Sequence, residues 1–162
     1  MEQDAIQQAA QQLADTLVKQ KLMAVTAESC TGGGIARELT EIAGSSRWFE
    51  RGFVTYSNDA KQDMLGVSAA TLEAHGAVSE ETALEMARGA IGHSRGHISV
   101  AVTGIAGPDG GTPEKPVGTV WIAWGQKLGY AEAQCFQFQG DRHAVRQQTI
   151  LAAIEGLNAR LQ

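Results

Sequence analysis

The chain has 162 residues, of which 43% are apolar and 19% are charged, and its formal net charge at pH 7 is −5. This length fits a single domain, 1–162, that buries its own core without disulfides or a metal ion. The acidic balance and the lack of a Lys/Arg block argue against a protein that holds nucleic acid by neutralising phosphates. We therefore expect a small-molecule partner and no nucleic acid.

The cysteines and the N-terminus indicate the compartment. Cys30 and Cys135 form neither a disulfide framework nor a zinc pattern, which suits a reducing environment. Glu2 and Asp4 put negative charge where a signal peptide needs positive charge, and no stretch approaches the roughly 18 apolar residues of a membrane span. We expect a soluble, cytoplasmic protein that does not bind a membrane.

The first half of the chain alternates helices and strands. An amphipathic helix is predicted over 3–20, and an apolar strand that begins at Met23 leads into a turn rich in Ser, Thr and Gly. A helix with Ile35, Leu39 and Ile42 on one face follows. The aromatic residues at 48–49 are expected to pack a loop, and a second strand is predicted over 52–56.

Serine and aspartate caps mark the later helices. Ser57 begins a short helix that ends at Gly66, and Ser68 and Ser79 begin two more. A β-branched strand over 97–103 precedes a glycine-rich loop. The segments 117–124 and 130–138 are predicted to form a hairpin, after which Asp141 caps a final helix.

This order of elements predicts the fold class and the position of the site. Helices between the early strands and a late hairpin indicate an α/β fold, a three-layer α/β/α domain with a mixed β-sheet flanked by helices. Ligands in such sheets gather at the carboxyl ends of strands. Those ends lie at 27–31, 56–61 and 103–107.

The turn over 29–34 is the first candidate for chemistry. The first N–H groups of a helix have no internal partner and lie at the positive end of its dipole, so this turn suits an anion or a developing oxyanion. It has neither the Gly-Lys-Ser/Thr ending of a P-loop nor the G-x-G-x-x-G of a dinucleotide site. It is not a G-x-S-x-G elbow either, because Ala27 and Thr31 stand at the glycine positions.

Two side chains compete for the role of nucleophile. Ser29 lies beside the helix start, whereas Cys30 has the greater intrinsic reactivity and a thiol whose pKa falls at a helix N-terminus. Neighbouring residues in an extended stretch point to opposite faces, so only one of the two should face the site. A small buried residue turned toward the sheet is the stronger interpretation of Cys30.

A serine nucleophile needs a base within hydrogen-bond reach. Lys61, in the first turn of a predicted helix, can serve if burial lowers its pKa, although the pattern alone favours a solvated lysine. The four histidines stand at helix ends or turns where exposed capping is the simpler explanation. They are His75, His93, His97 and His143.

Polar groups for substrate binding come from two further places. Thr103 and Gly104 end a strand, and Arg142 and Arg146 lie one turn apart at the start of the last helix. A guanidinium can hold a phosphate or carboxylate in a fork geometry. A capping threonine and a solvated arginine face explain these residues equally well.

Several motifs, in their order along the chain, closely resemble the C-terminal domain of the competence-damage-inducible (CinA) protein family. The resemblance covers essentially the whole chain. It is carried by the segments 27–33, 52–61, 76–79, 103–111, 115–120 and 140–142.

The resemblance implies a specific activity. Stand-alone members of the family hydrolyse the carboxamide of nicotinamide mononucleotide to nicotinate mononucleotide and ammonia, in NAD recycling, by a serine–lysine dyad without a metal or cofactor. The matching positions are Ser29 and Lys61, with Tyr56 beside the lysine. A homodimer is also implied. Longer members carry an additional N-terminal domain linked to nucleotide pyrophosphatase chemistry, and we do not expect that activity here.

The predicted mechanism joins both lines of argument. Neutral Lys61 takes the proton of Ser29, whose oxygen attacks the carboxamide carbon, and backbone N–H groups of the turn hold the oxyanion. The expected oxyanion donors are Thr31, Gly32 and Gly33. The expected substrate-binding residues are Glu28, Asn58, Thr103, Gly104, Gly107 and Arg142.

Two alternatives remain open. The first is a non-catalytic nucleotide-binding or regulatory module that uses the same cleft without turnover. The second is hydrolysis of another amide or ester by the same dyad.

Overall fold

The computed structural model of the protein describes residues 2–162, which contain a five-stranded mixed sheet. The strands are β1 (Ala24–Glu28), β2 (Phe49–Val54), β3 (Ile98–Gly104), β4 (Thr119–Gln126) and β5 (Ala131–Gln137). Their order across the sheet is β2-β1-β3-β4-β5. β1 pairs in parallel with β2 and β3, whereas β4 is antiparallel to both β3 and β5. The carboxyl ends of β1, β2 and β3 therefore meet at one edge.

Within residues 2–162, six α-helices surround the sheet. They are α1 (Glu2–Gln20), α2 (Gly34–Thr40), α3 (Asn58–Leu65), α4 (Ala69–His75), α5 (Glu80–Gly92) and α6 (Arg142–Arg160). The predicted caps are confirmed, because Ser57, Ser68, Ser79 and Asp141 each accept a hydrogen bond from a backbone N–H in the first turn of the following helix. No helix within residues 2–162 combines the length and apolar character needed to cross a bilayer.

The helices pack on both faces of the sheet, which confirms the predicted α/β/α arrangement. Side chains of β3 alternate between the two faces: Val100 and Val102 join one core cluster, and Ala101 joins the other. The first cluster includes buried residues of α1, α2 and α6, such as Leu13 and Ile154. The second cluster includes residues of α3 and α5. β1 is buried along its whole length.

The bounds of β2 differ from the prediction. The strand begins at Phe49, which was expected in a loop, and ends at Val54, before the predicted end. β2 lies at the edge of the sheet, where polar side chains are tolerated, and Glu50 and Arg51 form an ion pair there. These charges break the apolar pattern from which the strand was predicted. Trp48 is buried, as expected for a packing aromatic residue.

Candidate active site

The nucleophile turn, defined here as residues 29–33, connects β1 to α2. Gly32 and Gly33 have φ angles of 59° and 103°, in the left-handed region that side chains with a Cβ atom rarely adopt. The Gly32 N–H donates to the Ser29 carbonyl at 3.0 Å, and the Gly34 N–H donates to the Thr31 carbonyl at 3.0 Å. The two glycines therefore permit a compact turn at the carboxyl end of β1.

Glu28 supports the nucleophile turn from inside the protein. Its side chain is fully buried, and its carboxylate accepts hydrogen bonds from the Thr31 hydroxyl and from the backbone N–H groups of Ile35 and Ala36. The two N–H groups belong to the first turn of α2, where backbone donors lack helical partners. Glu28, predicted to bind substrate, thus contacts the turn and the helix start.

Ser29 and Lys61 lie in contact, although 32 residues separate them in the chain. The Lys61 amine lies 3.0 Å from the Ser29 hydroxyl oxygen, and it donates to the carbonyls of Thr55 at 3.0 Å and Tyr56 at 3.1 Å. Lys61 is only 1% exposed, and burial lowers the pKa of its amine. No carboxylate of residues 2–162 forms a salt bridge with it.

These contacts suit an uncharged amine that acts as a base. A neutral lysine has two N–H groups and one lone pair. The carbonyls of Thr55 and Tyr56 accept the two N–H groups, which leaves the lone pair for the Ser29 hydroxyl proton. The arrangement can therefore deprotonate Ser29 as the oxygen attacks an electrophile.

Burial and a raised pKa make the Cys30 thiol a poor nucleophile. It is 6% exposed and belongs to the core cluster that includes residues of α1 and α6. Burial, supported by the nearby charge of Glu28, raises the pKa of the thiol to about 12. Since the thiolate is the reactive species, a thiol with this pKa is a poor nucleophile at neutral pH. The structure favours Ser29 of the two competing residues.

No histidine takes the place of Lys61. Ser29 makes no side-chain hydrogen bond to a histidine among the residues that the structure describes. His97 accepts a hydrogen bond from the Met23 N–H, and His93 lies 2.8 Å from the Gly89 carbonyl. Within residues 2–162, no three His, Cys, Asp or Glu side chains cluster in a way that could hold a metal ion.

Ser29 and Lys61 line a cavity of about 220 Å³, called the catalytic cavity below. The carboxyl ends of β1 and β3, the start of α3 and the segment between α4 and α5 form its wall. The lining residues are Ser29, Cys30, Tyr56, Asn58, Lys61, Ala77, Val78, Thr103, Gly104, Ala106 and Arg142. The predicted substrate-binding residues Asn58, Thr103, Gly104 and Arg142 are thus brought together around the dyad.

The polar residues of the wall also connect its loops. The buried Thr103 hydroxyl donates to the Ala77 carbonyl at 2.8 Å and so holds the segment between α4 and α5. Arg142 donates to the Gly107 carbonyl at 2.8 Å and to the Tyr56 phenol oxygen at 3.4 Å. The Tyr56 side chain lies at the mouth and is 63% exposed, so its backbone carbonyl is the group that contacts the amine.

The three predicted oxyanion donors line a different cavity from the one that contains the dyad. Thr31, Gly32 and Gly33 line a second cavity of about 330 Å³, called the outer cavity, together with Arg37 and other residues of α2 and α6. The Gly32 N–H is already used within the turn. Cys30, next to the nucleophile, lines the catalytic cavity instead.

Sequence reasoning missed several of the wall residues. Cys30 was considered only for its thiol, although the N–H that follows a nucleophilic serine is a common oxyanion donor. The other missed residues have no reactive side chain, so they entered only as members of the resemblance segments 76–79 and 103–111 and were not named as wall residues. They are Ala77, Val78 and Ala106.

Comparison with known proteins identifies the relatives of the chain. The family model described as the CinA C-terminal domain matches residues 6–161. The nicotinamide-nucleotide amidohydrolase PncC of Escherichia coli (strain K12) is 50% identical over 157 residues, which cover 97% of this chain and 95% of that protein. PncC of Pseudomonas putida is 51% identical over 155 residues, with coverage of 95% and 96%.

Solved structures agree with these sequence matches. The crystal structure of the competence/damage inducible protein CihA from Agrobacterium tumefaciens has 50% identity and a TM-score of 0.95, over 98% of this chain and 96% of that one. A CinA superfamily protein from Klebsiella pneumoniae has 38% identity and a TM-score of 0.92, with coverage of 96% and 97%. The resemblance seen in the motifs is therefore confirmed, and the chain belongs to the CinA C-terminal domain family.

Proposed function

We propose that this protein is an amidohydrolase that converts nicotinamide mononucleotide to nicotinate mononucleotide and ammonia through a Ser29–Lys61 dyad. The observation that carries the proposal is the 3.0 Å contact between the Ser29 hydroxyl and a buried lysine without a carboxylate partner among the described residues. Two relatives of about 50% identity over nearly the whole chain are named nicotinamide-nucleotide amidohydrolase, which supports the choice of substrate.

The reaction begins with proton transfer. Lys61 takes the proton of Ser29 while the serine oxygen attacks the carboxamide carbon, and the carbonyl oxygen becomes an oxyanion. Lys61 then gives the proton to the departing ammonia, which leaves an acyl-enzyme on Ser29. A water molecule gives a proton to Lys61 as its oxygen attacks the ester carbon. The tetrahedral intermediate then collapses to the carboxylate product, and Lys61 returns the proton to the Ser29 oxygen.

Backbone N–H groups stabilise the oxyanion in this proposal. We add the Cys30 N–H, because Cys30 lines the catalytic cavity and follows the nucleophile directly. We retain the Thr31 N–H, although Thr31 lines the outer cavity, because the preceding Cys30 carbonyl is held by Arg146 and the N–H of the same peptide points the opposite way. The role of Gly32 and Gly33 is to permit the turn through their positive φ angles, and the Gly32 N–H closes it on Ser29. Glu28, which lies beneath the turn, keeps it in place.

The size of the catalytic cavity suggests how the substrate lies. Pockets that enclose whole small-molecule ligands are typically about 300–1,000 Å³, so a cavity of about 220 Å³ suits the nicotinamide ring alone. The ribose and phosphate then extend to the mouth, where Asn58, Tyr56 and Arg142 lie. Arg142 and the loop over 103–107 are the proposed phosphate site, because a guanidinium binds phosphate oxygens in a fork geometry.

Other expectations stay predictions. They are a homodimer, a cytoplasmic location, independence of cofactors, lack of nucleic-acid binding and a place in NAD recycling. The rival interpretation, a non-catalytic nucleotide-binding or regulatory module, would use the same cavity without turnover. The buried, uncompensated Lys61 argues against it, because a binding module has no need of a lysine held beside a serine hydroxyl.

The proposal is tested by incubating the purified protein with nicotinamide mononucleotide and measuring ammonia and nicotinate mononucleotide together. Ser29→Ala should reduce turnover by several orders of magnitude, since the nucleophile is lost. Cys30→Ala is the matched control and should keep most of the activity.

Loss of activity in Cys30→Ala with activity retained in Ser29→Ala would transfer the nucleophile to the thiol. Binding of the nucleotide to the unsubstituted protein without any ammonia would support the regulatory module instead.

A further inference from the structure

Arg146 contacts the nucleophile turn from the side of the outer cavity. Its Nε donates to the Cys30 carbonyl at 3.1 Å, and one terminal nitrogen donates to the Thr31 carbonyl at 3.2 Å. These are two consecutive carbonyls that directly follow the proposed nucleophile. The residue also lines the outer cavity, whereas Ser29 and Cys30 line the catalytic cavity.

Peptide geometry links these contacts to the oxyanion donors. In a trans peptide the C=O and the following N–H point in opposite directions. A Cys30 carbonyl held toward Arg146 therefore directs the Thr31 N–H away from the outer cavity. The same guanidinium holds the Thr31 carbonyl, and the Gly32 N–H of that peptide points the opposite way. This N–H donates to the Ser29 carbonyl at 3.0 Å.

Arg146 has no competing ionic partner in the part of the chain that the structure describes. The salt bridges found within residues 2–162 involve other cationic side chains, namely Arg51, His75 and Arg160. The Arg146 guanidinium therefore binds backbone carbonyls. Its positive charge polarises these two peptide groups, which makes their N–H groups, those of Thr31 and Gly32, stronger hydrogen-bond donors. Glu28 holds the opposite side of the same turn.

We propose that Arg146 is a positioning residue for amide hydrolysis, which orients and polarises the Thr31 N–H as an oxyanion donor without touching the substrate. This inference rests on the proposed amidohydrolase function. It assigns Arg146 a role distinct from that of Arg142, which is one helical turn away and contacts the Gly107 carbonyl.

The test compares three variants by steady-state kinetics with nicotinamide mononucleotide. Arg146→Gln should lower kcat roughly tenfold to a hundredfold and change KM by less than about threefold, since removal of a whole oxyanion donor costs roughly a hundredfold to a thousandfold. Arg146→Lys, which can reach one carbonyl, should fall between Arg146→Gln and the unsubstituted protein. Arg37→Gln is the matched control: it lines the same cavity, donates no side-chain hydrogen bond to the turn and should keep its activity.

Two measurements separate positioning from a general loss of structure. Guanidinium chloride at sub-denaturing concentration should restore part of the kcat of Arg146→Ala, and thermal unfolding shows whether each variant is folded. If Arg146→Gln does not fold, a kcat of Arg146→Lys below that of the unsubstituted protein, with KM changed by less than about threefold, and the guanidinium rescue decide. An unchanged kcat, a rise in KM alone or a lack of rescue in a folded Arg146→Ala would overturn the inference.

The inference and the function can fail separately. If the unsubstituted protein releases no ammonia, the proposed function is wrong. The rate at which a fluorophosphonate modifies Ser29 then tests Arg146, because this reaction also builds negative charge on an oxygen beside the nucleophile. A modification rate in Arg146→Gln equal to that of the unsubstituted protein would overturn the inference on its own.

Discussion

Lys61 is buried without a carboxylate partner in the described chain, and this environment suits the role of base that we propose for the residue. Transfer of an ammonium group out of water disfavours its charged form, which lowers the pKa of the amine. The carbonyls of Thr55 and Tyr56 fix its position and leave Ser29 as the third neighbour. A solvated lysine would have neither the lowered pKa nor the fixed geometry.

The lowered pKa of Lys61 predicts the pH dependence of activity. A general base works in its neutral form, which predominates above its pKa, so kcat/KM should rise as the pH increases through the Lys61 pKa. The midpoint of this rise should lie below the ordinary lysine value of about 10.4. A pH profile of ammonia release measures it.

Cys30→Ala should show the same rise with pH, because the thiol, with a pKa of about 12, takes no part in it. A profile of Cys30→Ala displaced by more than about one pH unit would implicate the thiol. A flat profile in the unsubstituted protein would remove Lys61 as the base.

At the residue scale, local sequence patterns supplied candidate site residues but did not settle which of them act together. Cys30 is buried as expected, but Ser29 is buried too and both residues line the catalytic cavity, because the strand ends at Glu28 and the alternation of side chains does not continue into the turn. The pattern around Lys61 favoured a solvated residue. Neighbours from other parts of the chain bury this lysine, and a local pattern does not record them. Its place in a helix start made Lys61 a candidate base, and the family resemblance made it the preferred one.

Among the elements, α6 contributes two arginines to the surroundings of the dyad. Arg142 and Arg146 are four residues apart and therefore lie on the same side of the helix. Arg142 reaches the loop after β3, and Arg146 reaches the turn after β1. One helix thus connects two of the loops that surround the catalytic cavity.

The position of Arg142 predicts a difference between substrates. Arg142→Gln should raise KM for nicotinamide mononucleotide by roughly tenfold or more, as expected for loss of a charge-assisted hydrogen bond to phosphate. KM for nicotinamide riboside, which lacks the phosphate, should change much less. Steady-state ammonia release with both substrates measures the difference.

Arg146→Gln is the comparison variant, because its effect should appear in kcat for both substrates. Equal increases in KM for the nucleotide and the nucleoside in Arg142→Gln would refute phosphate binding by this residue.

Helix starts were the best predicted features among the elements, and the edge strand was the worst. Ser57, Ser68 and Ser79 satisfy donors that every helix start exposes, so their signal is local. β2 is paired on one side only and carries two charged side chains, the half-buried Glu50 and the exposed Arg51. Its start therefore depends on pairing with β1, which no pattern within the strand reports.

In the whole molecule, the site depends on both core clusters. The cluster with residues of α1, α2 and α6 supports the helix that carries the two arginines, and the cluster with residues of α3 and α5 supports the helix that carries Lys61. The sheet separates the clusters, and the catalytic cavity opens where β1 and β3 end. Disruption of either cluster should therefore disturb the dyad.

The single-domain prediction leads to a test of cooperativity. Leu13 is fully buried in the first cluster, so Leu13→Ala should lower the free energy of unfolding by about 2–5 kcal/mol. If residues 1–162 are one domain, far-UV circular dichroism and tryptophan fluorescence should follow one transition that shifts as a unit.

Val18→Ala, in which a partly buried residue of the same helix is shortened, should cost less. Two separate transitions, of which only one responds to Leu13→Ala, would contradict a single cooperative domain.

The α/β class was predictable from the whole sequence, but the strand order was not. Alternating helices and strands indicate parallel pairing, and the short connection over 125–129 indicates a hairpin. The central position of β1, between β2 and β3, follows from contacts that form only on folding. This position brings Ser29 close to residues from both neighbouring strand ends.

The burial of Cys30 also affects how the protein should respond to oxidants. Peroxides attack thiolates, and a buried thiol with a pKa of about 12 is almost entirely protonated at neutral pH. The residue next to the proposed nucleophile is therefore protected from sulfenic acid formation, while Ser29 itself has no thiol chemistry. A hydrolase built in this way retains its nucleophile under oxidative stress that would inactivate an enzyme with an exposed catalytic cysteine.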